Sequence, residues 1–326
     1  MDLVPAKKPQ VRELLDSYLA RENATTVRHY SAALDDFAEY AKATDRLSAI
    51  NRLLSADFAP GNELVSGYRR DMEGSRGANG KLKSGRGLSA SAINLRLTVL
   101  RGLVKKARRH GLIDWELDVA NITAENVHET SGPGMKLLNH MLEAAKAQPG
   151  PVGRRNYAIL RLAGELGLRR KEIVGLDADD VDLLAGTIRI RGKGRRQLEK
   201  LSCTPTTAAA LGSWLEVRPN PRDGHALFTN LIPGRSSRLT GSAVYELVRK
   251  LGRVALPKGS RRRVRPHGIR HTAITEAVRR AKEVGLAREE VQKFSRHRDF
   301  RMVARYLDAH DQAQKKLGAV IGESMV

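Results

Sequence analysis

Apolar residues recur at intervals of three and four over most of this chain, and alternate at period two in Thr187-Ile188-Arg189-Ile190-Arg191. The first spacing puts apolar side chains on one stripe of a helix, and the second puts them on one face of a strand. Gly192-Lys193-Gly194 breaks the alternation, and Gln197 to Cys203 supplies a returning strand. The order is helices, one hairpin, then more helices. Nothing alternates as strand, helix, strand, so a parallel sheet is excluded. The predicted fold is mainly α: an all-α first part, then an α+β part built on a small β-hairpin or sheet.

Before the hairpin, Val11, Leu14, Leu15, Tyr18 and Leu19 mark a first helix. Thr25-Thr26 is a candidate cap for a second, carrying Tyr30, Leu34, Phe37, Ala38 and Ala41 on one face. Gly74 to Gly87 reads as an exposed basic loop with Lys81, Lys83 and Arg86. Leu88-Ser89 opens a helix through Ile93, Leu97, Leu100 and Leu103 that ends in Lys105, Lys106, Arg108, Arg109, His110 and a Gly111 stop. So many cations exceed what the helix dipole attracts, and they predict phosphate contact. Residues 118–134 lack periodicity and end in Gly-Pro-Gly, so they read as a linker. The predicted organisation is a helical domain over 1–117, a linker over 118–134 and a second domain over 135–326. In that second domain, helices are expected with Met135, Leu138 and Met141 inward and over 156–168, then around 205–217, 240–253, 268–282, 288–295 and 300–308.

Charge then narrows the partners. The chain has 326 residues, 41% of them hydrophobic, which is enough to bury real cores. Lys and Arg number 58 against 36 Asp and Glu, a formal net charge of +22. A net of +6 falls in 1–117 and +16 in 118–326. A charge of that size draws polyanions, nucleic acid first. One cysteine excludes a disulfide framework and a cysteine-based zinc site. No apolar run reaches membrane-spanning length, and MDLVPAKKPQ has no apolar signal core. The expectation is a cytoplasmic, DNA-associated protein.

Four clusters carry possible chemistry. Gly167-Leu168-Arg169-Arg170-Lys171-Glu172-Ile173 sets Arg169 and Glu172 three apart, able to share a helix face. Lys193 sits between glycines at the hairpin tip, followed by Arg195 and Arg196. Pro266-His267-Gly268-Ile269-Arg270 follows a run containing Arg261, Arg262, Arg263 and Arg265, and Pro266 fits a first helical turn. Last comes Ser295-Arg296-His297, with Tyr306 nine residues on. Each alone also fits an ordinary surface pair, basic turn, basic helix start or core aromatic.

Taken together and in this order, the clusters resemble the tyrosine recombinase, or phage integrase, family. That family's pattern is an Arg in G-L-R-x-x-E, a Lys in a β-hairpin, H-x-x-R, a His or Trp, and a Tyr shortly after. These positions fall here on Arg169, Lys193, His267 with Arg270, His297 and Tyr306. The resemblance covers about residues 135–310 by motif, and extends to 1–117 only through its helical pattern and basic loop, which look like the family's DNA-binding core-binding domain. Arg296 stands where the pattern usually has Gly, and the stretch from Arg270 to His297 is a few residues longer than usual.

The resemblance implies cleavage and rejoining of duplex DNA through a 3′-phosphotyrosine. Arg169 and Arg270 would hold two non-bridging oxygens, and His297 would add a hydrogen bond. Tyr306 would attack with His267 as base, Lys193 would protonate the leaving 5′ oxygen, and Glu172 would orient Arg169. No metal and no cofactor are expected, because the protein's own cations serve instead. It further implies a C-shaped clamp on double-stranded DNA with inverted-repeat sites, and a homo-oligomer, tetrameric at the synapse and allowed to be a monomer when free. Ala313, Leu317, Val320 and Ile321 fit either a helix packed on its own domain or one donated to a neighbour. The chain starts almost at its first helix, so no separate arm-binding domain is expected. The alternatives are type IB topoisomerase-like relaxation and a DNA-binding regulator on the same scaffold.

Overall fold

The computed structural model describes residues 8–20, 23–76, 82–123, 132–191, 198–222, 224–232, 236–260 and 263–296. It divides into two compact units, Met1–Val127 and His128–Val326.

The first unit holds helices α1 (Lys8–Leu19), α2 (Ala24–Tyr40), α3 (Arg46–Leu54), α4 (Phe58–Glu73) and α5 (Ala90–Arg109), with strands β1 (Ser75–Arg76) and β2 (Leu82–Ser84) between α4 and α5. Each helix turns its apolar stripe inward, and Leu34, Phe37, Ile50, Leu53, Tyr68, Met72, Leu97 and Leu100 form one core. α2 begins one residue before the expected Thr25-Thr26 cap. Asn23 caps it instead, its Oδ1 accepting the amides of Thr25 and Thr26 at 3.2 Å. Ser89 caps α5 as expected.

Two expectations change here. The 74–87 stretch is not simply a loop, because β1 and β2 pair antiparallel within it. Its Arg86 remains exposed but is tied to side chains of its own unit. The guanidinium pairs with Asp36, lies 2.9 Å from Asp71 and covers the Tyr68 ring. Asp36 also accepts from Tyr68 at 2.6 Å and from Arg96. Lys81 lies outside the described residues, as does the Lys83 side chain. The start of the supposed linker is packed chain. Val119 is buried, the amide of Asp118 donates to Asn62, and Asn94 exchanges two hydrogen bonds with the backbone of Ile122 at 2.8 and 2.9 Å. Asn side chains bonding to an irregular backbone leave no periodic trace in a sequence.

The second unit runs α6 (Met135–Lys146), α7 (Gly150–Glu165), α8 (Arg170–Val174), β3 (Val181–Asp182), β4 (Thr187–Arg191), β5 (Leu198–Ser202), α9 (Pro205–Val217), α10 (Gly241–Ala255), α11 (Pro266–Glu283) and α12 (Arg288–Ser295). The antiparallel sheet has the order β3-β4-β5, with Ile188 opposite both Val181 and Leu201. β3 went unpredicted because two residues are too few to show alternation. α7 starts at Gly150, not Asn156, because Pro151 suits a first turn. It ends at Glu165, and Leu168 is buried beyond the helix rather than in it. The core gathers Leu138, Met141, Ile159, Leu160, Trp214, Phe228, Val248 and Ile269, and the Trp214 indole donates to Leu227 O at 2.8 Å. Gly132 lies so close to α11 that a Cβ there would stand 2.1 Å from Gly268 O. Among the described residues no helix is long and apolar enough to cross a membrane.

Candidate active site

The site forms where the α7–α8 turn, the first turns of α11 and the end of α12 meet. Gly167 makes the turn possible with φ +56°, a region that glycine enters freely. Arg169 follows as the N-cap of α8, in extended conformation, and Glu172 is the third helical residue. The pair therefore does not lie along a helix face. Glu172 reaches back over the helix start instead: Oε2 accepts the Arg169 amide at 2.8 Å and Oε1 accepts its guanidinium at 2.8 Å. Arg169 keeps 31% of its side chain exposed, while Glu172 keeps 4%. Burial alone would push the Glu172 carboxyl up. The bonds from Arg169 and the charges of Arg296 and Arg169 outweigh burial and hold it below the ordinary range.

On α11, Pro266 occupies the first turn, with His267 and Arg270 on the following positions. Arg270 is only 2% exposed. Its guanidinium donates to Gly167 O and to Ser295 O, so it joins segments far apart in sequence. His267 is open to solvent on one side. Desolvation of the other side, then the charges of Arg270 and Arg169, hold its pKa below the ordinary histidine value. It is thus neutral and able to accept a proton near neutral pH. His271, one turn on, packs edge-to-face against His267 with 4.5 Å between ring centres. Burial, then His267 and Arg270, pull its pKa to about 4.

Arg169, Glu172, His267 and Arg270, expected from the resemblance of their clusters to one family's pattern, therefore lie together. Lys193, His297 and Tyr306 lie outside the described residues, as do Arg195, Arg196, Arg261 and Arg262 and the C-terminal segment from Asp311 to Val326. Arg191 and Leu198, at the ends of β4 and β5, are paired in register. Arg263 and Arg265 are exposed just before α11, and Lys105 and Arg109 are exposed near the end of α5. Arg108 pairs with Glu116 and Lys106 is half-buried, so that helix end presents less free charge than its sequence implies. Among the described residues, no group of three or more His, Cys, Asp or Glu could hold a metal ion. One site residue went unpredicted as such: Arg296, buried against Glu172. Its signal was only a departure from a glycine.

Residues 135–313 match the phage integrase family. A tyrosine recombinase of Synechococcus elongatus is 36% identical over 70% of this chain and 70% of its own. Another from Synechocystis sp. is 29% identical over 93% of this chain and 92% of its own. The tyrosine recombinase XerC of Neisseria meningitidis is 28% identical, covering 88% and 97%. Among solved structures, the fold is similar to the XerH site-specific recombinase (TM-score 0.65, 20% identity, 97% of this chain and 85% of that one) and to a lambda integrase dimer (TM-score 0.62, 13% identity, 92% and 96%). The chain belongs to the phage integrase family, the tyrosine recombinases. It is an enzyme of site-specific DNA recombination.

Proposed function

We propose that this chain cleaves and rejoins duplex DNA by the route its clustered arginines permit, with Tyr306 as the nucleophile. The Tyr306 oxygen attacks the scissile phosphorus, and its proton passes to neutral His267. The bond from phosphorus to the 5′ oxygen breaks, and that oxygen takes a proton from Lys193. The DNA is left joined to the protein as a 3′-phosphotyrosine ester. A 5′-hydroxyl from another strand reverses the steps, so the ester conserves the bond and no nucleotide is consumed. Arg169 and Arg270 neutralise the non-bridging oxygens, where charge grows in the transition state. His297 adds a donor.

The observation that carries this reading is the fixed guanidinium of Arg270, tied to Gly167 O and Ser295 O beside Arg169 and His267. Two cations and a neutral imidazole in one place suit an anion that must be attacked without a metal. Similarity to a XerH structure bound to difH substrate and to a lambda integrase dimer bound to a core site supports duplex DNA as the partner. On the same reading the sites are inverted repeats, the working assembly is a tetramer at the synapse, and the protein resides on the chromosome in the cytoplasm.

A nicked suicide duplex tests the nucleophile. The full-length protein is expected to form a denaturant-stable adduct on the 3′ phosphate. Tyr306→Phe is expected to bind the same duplex and form none. An undiminished adduct from Tyr306→Phe would show that another residue attacks.

A further inference from the structure

Arg296 ends α12 in the left-handed conformation, φ 53° and ψ 33°. Glycine enters that region freely and arginine enters it under strain, so the fold must hold Arg296 there. The side chain shows what holds it. The guanidinium, 4% exposed, donates to Leu166 O at 3.0 Å and Gly167 O at 3.3 Å, and lies 3.2 Å from Glu172 Oε2. Its Nε is buried with no hydrogen-bond partner among the described residues. Glu172 is thus divided: Oε1 serves the Arg169 guanidinium, and Oε2 serves the Arg169 amide and Arg296. The main chain around Arg296 serves the other arginines. Ser295 O accepts from Arg270, and Arg296 O lies 3.5 Å from Arg169 Nη2.

We propose that Arg296 is a positioning residue for strand cleavage: it locks Glu172, the Gly167 turn and the end of α12 together, so that Arg169 and Arg270 stand in their phosphate-binding orientation before DNA arrives. This rests on the reading of Arg169 and Arg270 as the phosphate clamp. A buried cation is costly unless it is paired and hydrogen-bonded. Here the pairing runs to the carboxylate that aligns Arg169 and to the carbonyl that anchors Arg270. Glycine at this position would relax the backbone but would leave Glu172 with one cation and Leu166 O without its donor.

The charges that act on Glu172 are Arg169 on its own segment and Arg296 from α12; Glu199 of β5 acts on Arg296, and Arg169 and Arg270 act on His267 of α11. Arg296 is one of the charges that lower the Glu172 carboxyl, so its removal lets that carboxyl take a proton at higher pH.

The test uses the full chain, with single-turnover cleavage of the nicked suicide duplex at saturating DNA and carbon-13 NMR of labelled glutamate carboxyls. The Glu172 signal is assigned by its loss in Glu172→Gln. Arg296→Gly is expected to slow cleavage about 10²-fold, the cost of a misplaced reacting geometry, with little change in DNA affinity. Its Glu172 titration should move to higher pH. Arg296→Lys retains the charge and should keep that titration at the wild-type position. The Arg296→Gly, Glu172→Gln double variant should lose less than the product of the two single losses, because the two residues share one contact. Wild-type cleavage by Arg296→Gly, an unmoved Glu172 titration, or losses that multiply in the double variant would each overturn the inference. A wild type that forms its Tyr306-dependent adduct while Arg296→Gly matches it overturns this inference alone. A wild type that forms no such adduct overturns the reading beneath it, and this inference with it.

Discussion

Asp36 has a place in the first unit like that of Glu172 in the second: a mostly buried carboxylate gathers Tyr68 of α4, Arg96 of α5 and Arg86 from the turn between β2 and α5. Burial pushes its carboxyl up, but the bonds from Tyr68, Arg96 and Arg86 lower it further, to a net position below the ordinary value. A group with a depressed folded pKa stabilises the fold above its unfolded pKa, and that stability is lost as pH falls through the folded pKa. Asp36→Asn should therefore destabilise the first unit by about 1–3 kcal/mol near neutral pH, by stranding donors of two arginines. The gap to wild type should close as pH drops below about 4, where the unfolded aspartate is itself protonated. Urea denaturation across pH checks this, and a gap that stayed constant into acid would remove Asp36 as its source. Neither Arg86 nor Arg296 revealed its structural role in the sequence. Each bonds to carboxylates or carbonyls placed by distant packing, whereas Arg169, His267 and Arg270 stood in local spacings that a short motif preserves.

Most helices, by contrast, were legible, because each carries its own apolar stripe and many carry their own end signals, although α3 and α4 were not singled out in the sequence. The hairpin strands β4 and β5 were legible from the alternation of Ile188 and Ile190 and the glycines after it. Errors fell at boundaries, where one hydrogen bond decides. Thr25 and Thr26 looked like caps by residue type, yet the oxygen that accepts their amides belongs to Asn23. Asn23→Ala should thus cost about 1 kcal/mol, measured as a lower melting temperature of the first unit, while Thr25→Ala should cost much less. Equal losses from both would return the cap to the threonines. The Glu172 carboxylate makes the same kind of bond at the start of α8, and there the cap residue is Arg169 itself. A helix-initiation contact and an active-site contact are one interaction in this chain.

At the level of the whole chain, the sequence placed a boundary after residue 117, and the packing moves it later. Val119 is buried against the first core, and Asn94 holds Ile122. A fragment spanning 1–123 should be more stable than one spanning 1–117 by about 1.5–3 kcal/mol, the worth of burying a valine-sized side chain. Equilibrium denaturation of the two fragments decides it, and equal stability would restore the earlier boundary. The last consequence comes from the anchoring of Arg270 to Gly167 O and Ser295 O. A ribosome makes these partners in order, adding about 5–20 residues per second. Arg270 is synthesised roughly 1–5 s before Ser295 and Arg296 exist to hold it. Throughout that interval the growing polypeptide already carries most of its positive charge, yet the contacts that hold Arg270 are unmade and Tyr306 has not been translated. On the proposed reading, in which Tyr306 attacks the DNA, a partly made chain lacks its nucleophile as well as the contacts that hold Arg270.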